Sequence, residues 1–269
     1  MGAYWEAVKQ VFLAYFKAEL IRSKGLMLGI ISLSVWLTLF ITPLLLFKPP
    51  GMSAGRLSSL ALMAVIIFIA YSVATWDWAW EIRWLMMQGV LEYVLASGRN
   101  IFTLYTGIMP VSLLWYCIAI AASGAILSAF LGPPTLTLVS PHALAVGIYS
   151  IVVVLLAYAL LLGGTTIGLG TAGPIVEFIG FILPIATGGL VPLANMPKAL
   201  QTFALATPFS YPAELLRYAL GISKPVIPVW ECEAIAVTYS AAFFALSYLF
   251  FKRQLRKLLK EGIKTVAAW

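Results

Sequence analysis

The sequence predicts an all-α integral membrane protein, with six transmembrane helices, an N-terminal amphipathic interface helix and short re-entrant helices before the last span. Three observations carry that prediction. Hydrophobic residues make up 62% of the 269-residue chain and charged residues 10%, with a mean hydropathy of +0.99, whereas soluble domains carry about 25% charge. Six apolar runs approach the ~20 residues that a helix needs to cross hydrocarbon. Between the last two lies a proline-punctuated stretch, Gly188 to Gly221, too broken to cross. One membrane domain over residues 1–269 follows: an interfacial helix over 1–24, a six-span bundle over 26–251 and a basic tail over 252–269, with no room for a separate soluble domain.

In chain order, Tyr4, Val8, Val11, Phe12 and Tyr15 share one face of a helix, with Glu6, Gln10 and Lys17 on the other. Lys9, Lys17, Arg22 and Lys24 suit such a helix to the headgroup layer. The spans then run from Leu26 to Phe47, Leu57 to Trp78, Phe102 to Leu131, Leu144 to Leu169, Pro174 to Val191 and Ile235 to Phe251. The first is too long for a signal-peptide core and is expected to be retained. Pro49, Pro50 and Gly51 separate the first two spans, and Gly132, Pro133 and Pro134 the third and fourth. After Phe251, apolar Leu255, Leu258 and Leu259 recur among Lys252, Arg253, Arg256, Lys257 and Lys260, which continues the last span as a basic amphipathic helix.

Within Gly188 to Gly221 two helices begin, at Asn195–Pro197 and at Tyr211–Pro212, because proline suits a first helical turn. Gly221 stops the second. Each is about ten residues, ~15 Å at 1.5 Å per residue, so neither crosses. Non-spanning backbone at membrane depth requires surrounding protein or a water-lined cavity. The segment therefore reads as a gate or vestibule, or as an ordinary amphipathic surface loop.

The formal charge of +7 does not point to nucleic acid, because the basic residues sit beside span ends. The N-terminal arm, the loop from Glu81 to Tyr105 and the tail hold twelve of the seventeen Lys and Arg, which predicts that side, and both termini, in the cytoplasm of a cell-membrane protein. Trp76, Trp78, Trp80 and Trp84 fit an interfacial aromatic belt there. Cys117 and Cys232 read as small apolar fillers. No phosphate-binding loop occurs, since Gly163, Gly164, Gly168, Gly170 and Gly173 lack the required lysine, and a single histidine, His142, excludes a two-histidine zinc helix. No catalytic or metal-ligating set is predicted.

A carboxylate at a span centre costs about 2.5–3.5 kcal/mol on insertion scales. Asp77 and Glu81 lie i and i+4 at the inner end of the second span, where that cost falls, and a structural role outweighs a proton or metal site. Glu177 follows Pro174 closely and suits the helix dipole of a first turn. The loop from Arg83 to Gly98 sets Leu91, Val94 and Leu95 on one side of a short helix and Gln88 and Glu92 on another, offering either a docking face or a face buried against the bundle.

Two stretches resemble the membrane permeases of the ABC transporter type-2 family. One is the glycine-rich fifth span ending in Pro192, followed by Met196, Pro197, Leu200, Gln201, Pro208, Ser210, Tyr211, Glu214 and Arg217. The other, Glu81, Gly89, Leu91, Glu92 and Leu95, is similar to the family's coupling loop, although Ser97, Gly98 and Arg99 stand where proline is common. The similarity in span order covers essentially the whole chain.

The resemblance implies the transmembrane subunit of an ATP-driven exporter, not itself an ATPase. Its implied partners are two copies of an ATP-binding subunit, a second permease chain, identical or related, and the lipid bilayer. ATP and Mg²⁺ belong to the ATPase, and no cofactor is implied for this chain. Coupling would run through Glu81, Gln88, Gly89, Leu91, Glu92 and Leu95, and an outer gate through Pro192, Pro197, Pro208, Tyr211, Glu214 and Arg217. A route between the permeases would be lined by Trp36, Phe40, Phe68, Tyr71, Phe181 and Thr187, which packing explains equally well. A route so poor in charge suits a drug-like, lipid or glycolipid cargo, while polysaccharide or peptide stays compatible. An ion-coupled secondary transporter and, behind it, a lipid-modifying membrane enzyme are the alternatives, but neither a convincing internal repeat nor a polar catalytic cluster is found.

Overall fold

The computed structural model describes residues 2–22, 25, 28, 29, 32, 36, 51–96, 101–169 and 173–262. It is 83% helical, and no strand occurs among the described residues. Four helices there are long and apolar enough to cross a membrane: α2 (Ala54–Met87), α4 (Ile101–Leu131), α5 (Pro141–Leu169) and α9 (Val229–Glu261). Around them are α1 (Gly2–Tyr15), α3 (Leu91–Ala96), α6 (Gly173–Ala186), α7 (Lys198–Leu205) and α8 (Ser210–Ala219). Most of the expected first span, Leu26 to Phe47, lies outside the described residues, as do Pro49 and Pro50 and the tail beyond Gly262.

The boundaries follow local chemistry. Ser53 Oγ accepts from the Arg56 N–H and starts α2, and Ser140 Oγ accepts from the Ala143 N–H at the head of α5. Helix α2 outruns the expected end at Trp78 because it passes through a π-helical stretch, Val73–Ala79, and resumes to Met87. Ser72 Oγ and Thr75 Oγ1 donate to the carbonyls of Phe68 and Tyr71 at the entry to that stretch, the back-bonding that bends and loosens helical ladders. Helix α6 has 14 residues, against the longer run expected to Val191; Pro184 lies in its last turns and the chain then reverses through Thr187 to Leu190. Helix α9 joins the expected last span and basic tail into one 33-residue rod.

Helices α5 and α9 pack along a row of small residues. A Cβ on Gly164 would lie 2.9 Å from the Phe250 ring and 3.3 Å from the Phe251 backbone, and one on Gly168 would lie 3.0 Å from Gln254. These glycines, which the sequence rules out as a phosphate-binding loop, let two helix backbones approach, as close-packed membrane helix pairs do. Gly164→Leu is expected to force the pair open at the typical over-packing cost of ~1–3 kcal/mol, read as a lowered thermal unfolding midpoint in mild detergent.

The N-terminal helix is part of the fold. Val8 is buried, and a Cβ on Gly107 of α4 would sit 2.6 Å from Val11. Tyr4 Oη lies 3.1 Å from Thr106 Oγ1. The apolar face expected of α1 therefore covers α4.

Candidate functional site

The proline-punctuated stretch folds as a helical hairpin driven into the bundle. Helix α7 follows Pro197, as expected from Asn195–Pro197, and α8 starts at Ser210 with Pro212 in its first turn. The two are pinned at the bend: Tyr211 Oη donates to the Leu205 carbonyl at 2.6 Å, and Ser210 Oγ donates to the Ala204 carbonyl. At the far end, Gly221 takes φ +70°, and the N–H groups of Ile222 and Gly221 reach the carbonyls of Arg217 and Tyr218. That pair of hydrogen bonds to the last turn is the Schellman stop, which favours a residue in the left-handed region.

At the bend, Phe209 enters an aromatic box. Its ring centroid is 5.6 Å from Tyr71 of α2, 5.7 Å from Tyr158 of α5 and 5.4 Å from Phe243 of α9. Those residues sit roughly 20–25 Å along their helices from the Ala54, Pro141 and Val229 ends, at 1.5 Å per residue. The hairpin tip is therefore level with the middle of the three long helices.

Beside this box lies a buried polar cluster. Arg217, 1% exposed, donates from Nη1 to Glu214 Oε1 at 3.1 Å and from Nη2 to the Gly189 carbonyl at 2.6 Å. Glu214 Oε1 also accepts from the Leu193 N–H at 3.2 Å, while its Oε2 has no hydrogen-bond partner among the described residues. The Tyr71 hydroxyl pairs with Thr187, whose own hydroxyl donates to the Leu183 carbonyl at 2.7 Å. Chemically the cluster is a latch. It ties α8 to the turn after α6 through a charge pair that gives the turn's backbone its partners.

Candidates that the sequence assigned to two roles thus converge here. Tyr71 and Thr187 from the expected route meet Glu214 and Arg217 from the expected gate, with Pro192 buried and Pro208 half-buried nearby in the chain. Pro197 is exposed at the head of α7. Trp36 and Phe68 stack on each other, centroids 6.2 Å apart, as a separate pair. Phe40 and the side chains of Phe181 and Glu177 lie outside the described residues. The sequence reading did not single out Phe209, Gly189 or Tyr158. For Phe209 the signal existed: a large apolar residue between Pro208 and a helix start.

A second group forms at the other end of α2. Gly89 adopts φ +66°, and the N–H groups of Val90 and Gly89 bond the carbonyls of Leu85 and Met86, so this loop turns on the same glycine-dependent stop. Leu91 is fully buried in the core and Leu95 packs against it. The apolar side of α3 therefore faces the bundle, the second of the two dispositions open from the sequence. Gln88, Gly89, Glu92 and Tyr93 are exposed, as are Trp84, Met87 and Val90. The outward surface thus joins the expected Gln88, Gly89 and Glu92 to Trp84, Met87, Val90 and Tyr93, while the expected Leu91 and Leu95 turn inward.

Glu81 accepts a hydrogen bond from the Tyr15 hydroxyl, fastening the N-terminal arm to the base of α2. Burial, with Asp77 and then Glu81 nearby, raises the Glu19 carboxyl from 4.5 to about 7. The arm in place thus binds more protons than the arm released. Its docking is expected to be strongest below pH 4.5, to weaken as pH rises to about 7, and to level off above. Hydrogen exchange of residues 12–20 against pH tests this, and Glu19→Gln should flatten the profile.

At the opposite end, His142 Nδ1 lies 3.0 Å from Glu233 Oε1, linking the heads of α5 and α9. Cys117 and Cys232 are both free thiols. No grouping of three or more His, Cys, Asp or Glu suited to a metal occurs among the described residues. The chain matches no family model and no curated protein.

Proposed function

We propose that the chain is the transmembrane subunit of an ATP-driven exporter of the ABC type-2 class, working as a dimer with two ATP-binding subunits. The observation that carries this reading is the common end shared by the α2–α3 loop and the N-terminal arm, joined by the Tyr15–Glu81 bond. A push on the exposed loop residues Gln88, Glu92 and Tyr93 would pass to α2 and α1 together. Further support comes from the hairpin latched at mid-bundle depth by Glu214 and Arg217, a disposition that suits an outer gate. ATP need only favour one arrangement of these helices by about 1–3 kcal/mol. The cargo class that suits the charge-poor helices is hydrophobic or amphipathic: drug-like, lipid or glycolipid.

One observation favours a second reading. Glu19, Asp77 and Glu81 lie within electrostatic reach of one another, as an ion-coupled transporter would need. Their position near the inner end of α2, away from mid-bundle, weighs against it.

Co-expression with a candidate ATP-binding subunit and purification in mild detergent decides between the readings. Joint elution at equal stoichiometry, with transport lost on ATP depletion, is expected. A chain that elutes alone and moves its cargo normally without ATP overturns the proposal.

A further inference from the structure

Helix α9 outlasts any bilayer it crosses. From Ile235 to Phe251 it holds no charged residue, a length of about 25 Å, close to the ~30 Å of hydrocarbon. The helix nevertheless runs unbroken to Glu261, and residues 252–261 carry five cations against one carboxylate. All five are exposed, while Phe251 and Leu258 are buried on the opposite side against the bundle.

The cations are not scattered. Arg253, Arg256, Lys257 and Lys260 follow the i, i+3, i+4, i+7 spacing of one helical stripe. With Phe250, Gln254 and Glu261 they line an open groove of about 370 Å³, within the roughly 300–1,000 Å³ of small-molecule clefts. Lys252 leans back so that its Nζ lies 5.8 Å from the Tyr248 ring, the posture of a residue at the edge of an apolar layer. Among the described residues the one carboxylate within ion-pair reach of the stripe is Glu261, 3.8 Å from Lys257 with both side chains exposed. Among the described residues, most of the positive charge at this edge thus has no carboxylate to meet it, and it sits at the end of an uncharged run about as long as the hydrocarbon is thick, where lipid phosphates lie.

We propose that this groove binds the headgroup of an anionic phospholipid in the leaflet at the C-terminal end of α9. Arg253 and Arg256 offer forked donors to the phosphate oxygens. Lys257 and Lys260 complete the charge, and Phe250 meets the start of the acyl chains. A bound lipid would brace α9 against α5, since Gln254, which lines the groove, also touches Gly168 of α5. The inference goes beyond the exporter reading and does not require it.

The test uses the full chain in mixed micelles of phosphatidylglycerol and phosphatidylcholine, with the retained lipids quantified after gel filtration. Wild type is expected to retain phosphatidylglycerol preferentially, and R253Q/R256Q/K257Q/K260Q to lose that preference by about tenfold or more, given ~1 kcal/mol for each basic residue at an anionic surface. K9Q/K17Q should keep it, and excess inorganic phosphate should leave it unchanged. An unchanged preference in the quadruple variant overturns the site. An equal loss in K9Q/K17Q overturns it in favour of net charge alone, and displacement by inorganic phosphate in favour of a free-anion site. Retained preference with lost co-elution of an ATPase subunit would give the face to a protein partner and overturn it too.

Discussion

Arg217→Met is expected to lower the stability of the protein by about 3–5 kcal/mol, the cost of stranding one member of a buried ion pair. The substitution keeps side-chain volume, so the loss is electrostatic. Glu214 would remain 2% exposed with only the Leu193 N–H as donor, and the Gly189 carbonyl would lose its 2.6 Å partner. Glu214→Leu combined with Arg217→Met should recover much of the loss, because apolar replacement of a whole buried pair is often neutral. Recovery should stay incomplete, since the backbone groups of Gly189 and Leu193 lose their partners in the double variant. Denaturant titration in mild detergent measures all three proteins. A single variant within about 1 kcal/mol of wild type would mean that water reaches the pair.

Leu91 and Tyr93, two residues apart, are expected to fail in opposite ways. Leu91 is 0% exposed, so Leu91→Asp forfeits at least the ~2–5 kcal/mol of a truncated core leucine and adds a desolvated carboxyl. It should unfold the protein or empty the membrane of it. Tyr93 is 78% exposed, so Tyr93→Ala and Glu92→Arg should leave stability within about 0.5 kcal/mol. If the loop receives the push of an ATPase, the same two variants should lower its stimulation about 5–150-fold, the span of a 1–3 kcal/mol coupling. Stimulation at the wild-type level in both would remove this loop from the coupling route.

Much of the fold was legible because apolar runs and proline or glycine breaks act locally. The starts of α7 and α8 and the stop at Gly221 follow from single residues whose backbone preferences leave little choice. Less legible was anything set by a distant neighbour. The apolar side of α3 reads the same whether it meets a partner or the bundle, and only the packing of Leu91 against the core decides. The π-helical stretch of α2 has no sequence signature beyond Ser72 and Thr75, each of which is ordinary in an apolar helix. The latch was half visible. Glu214 and Arg217 share a helix face at i and i+3, yet their closest backbone partners, Gly189 and Leu193, lie more than a helix away in the chain. A charged pair in a hydrophobic stretch reads as surface until the turn that covers it is in place.

The aromatic box has a mechanical consequence. One ring, Phe209, is wedged among three rods that start from different points of the chain, and close-packed interiors give little under compression. Should any rod slide past the other two, the wedge must rotate or withdraw, and the hairpin attached to it must follow. Movement begun at one end of the rods would thus be passed to the hairpin without a hinge, by displacement of a single benzene ring.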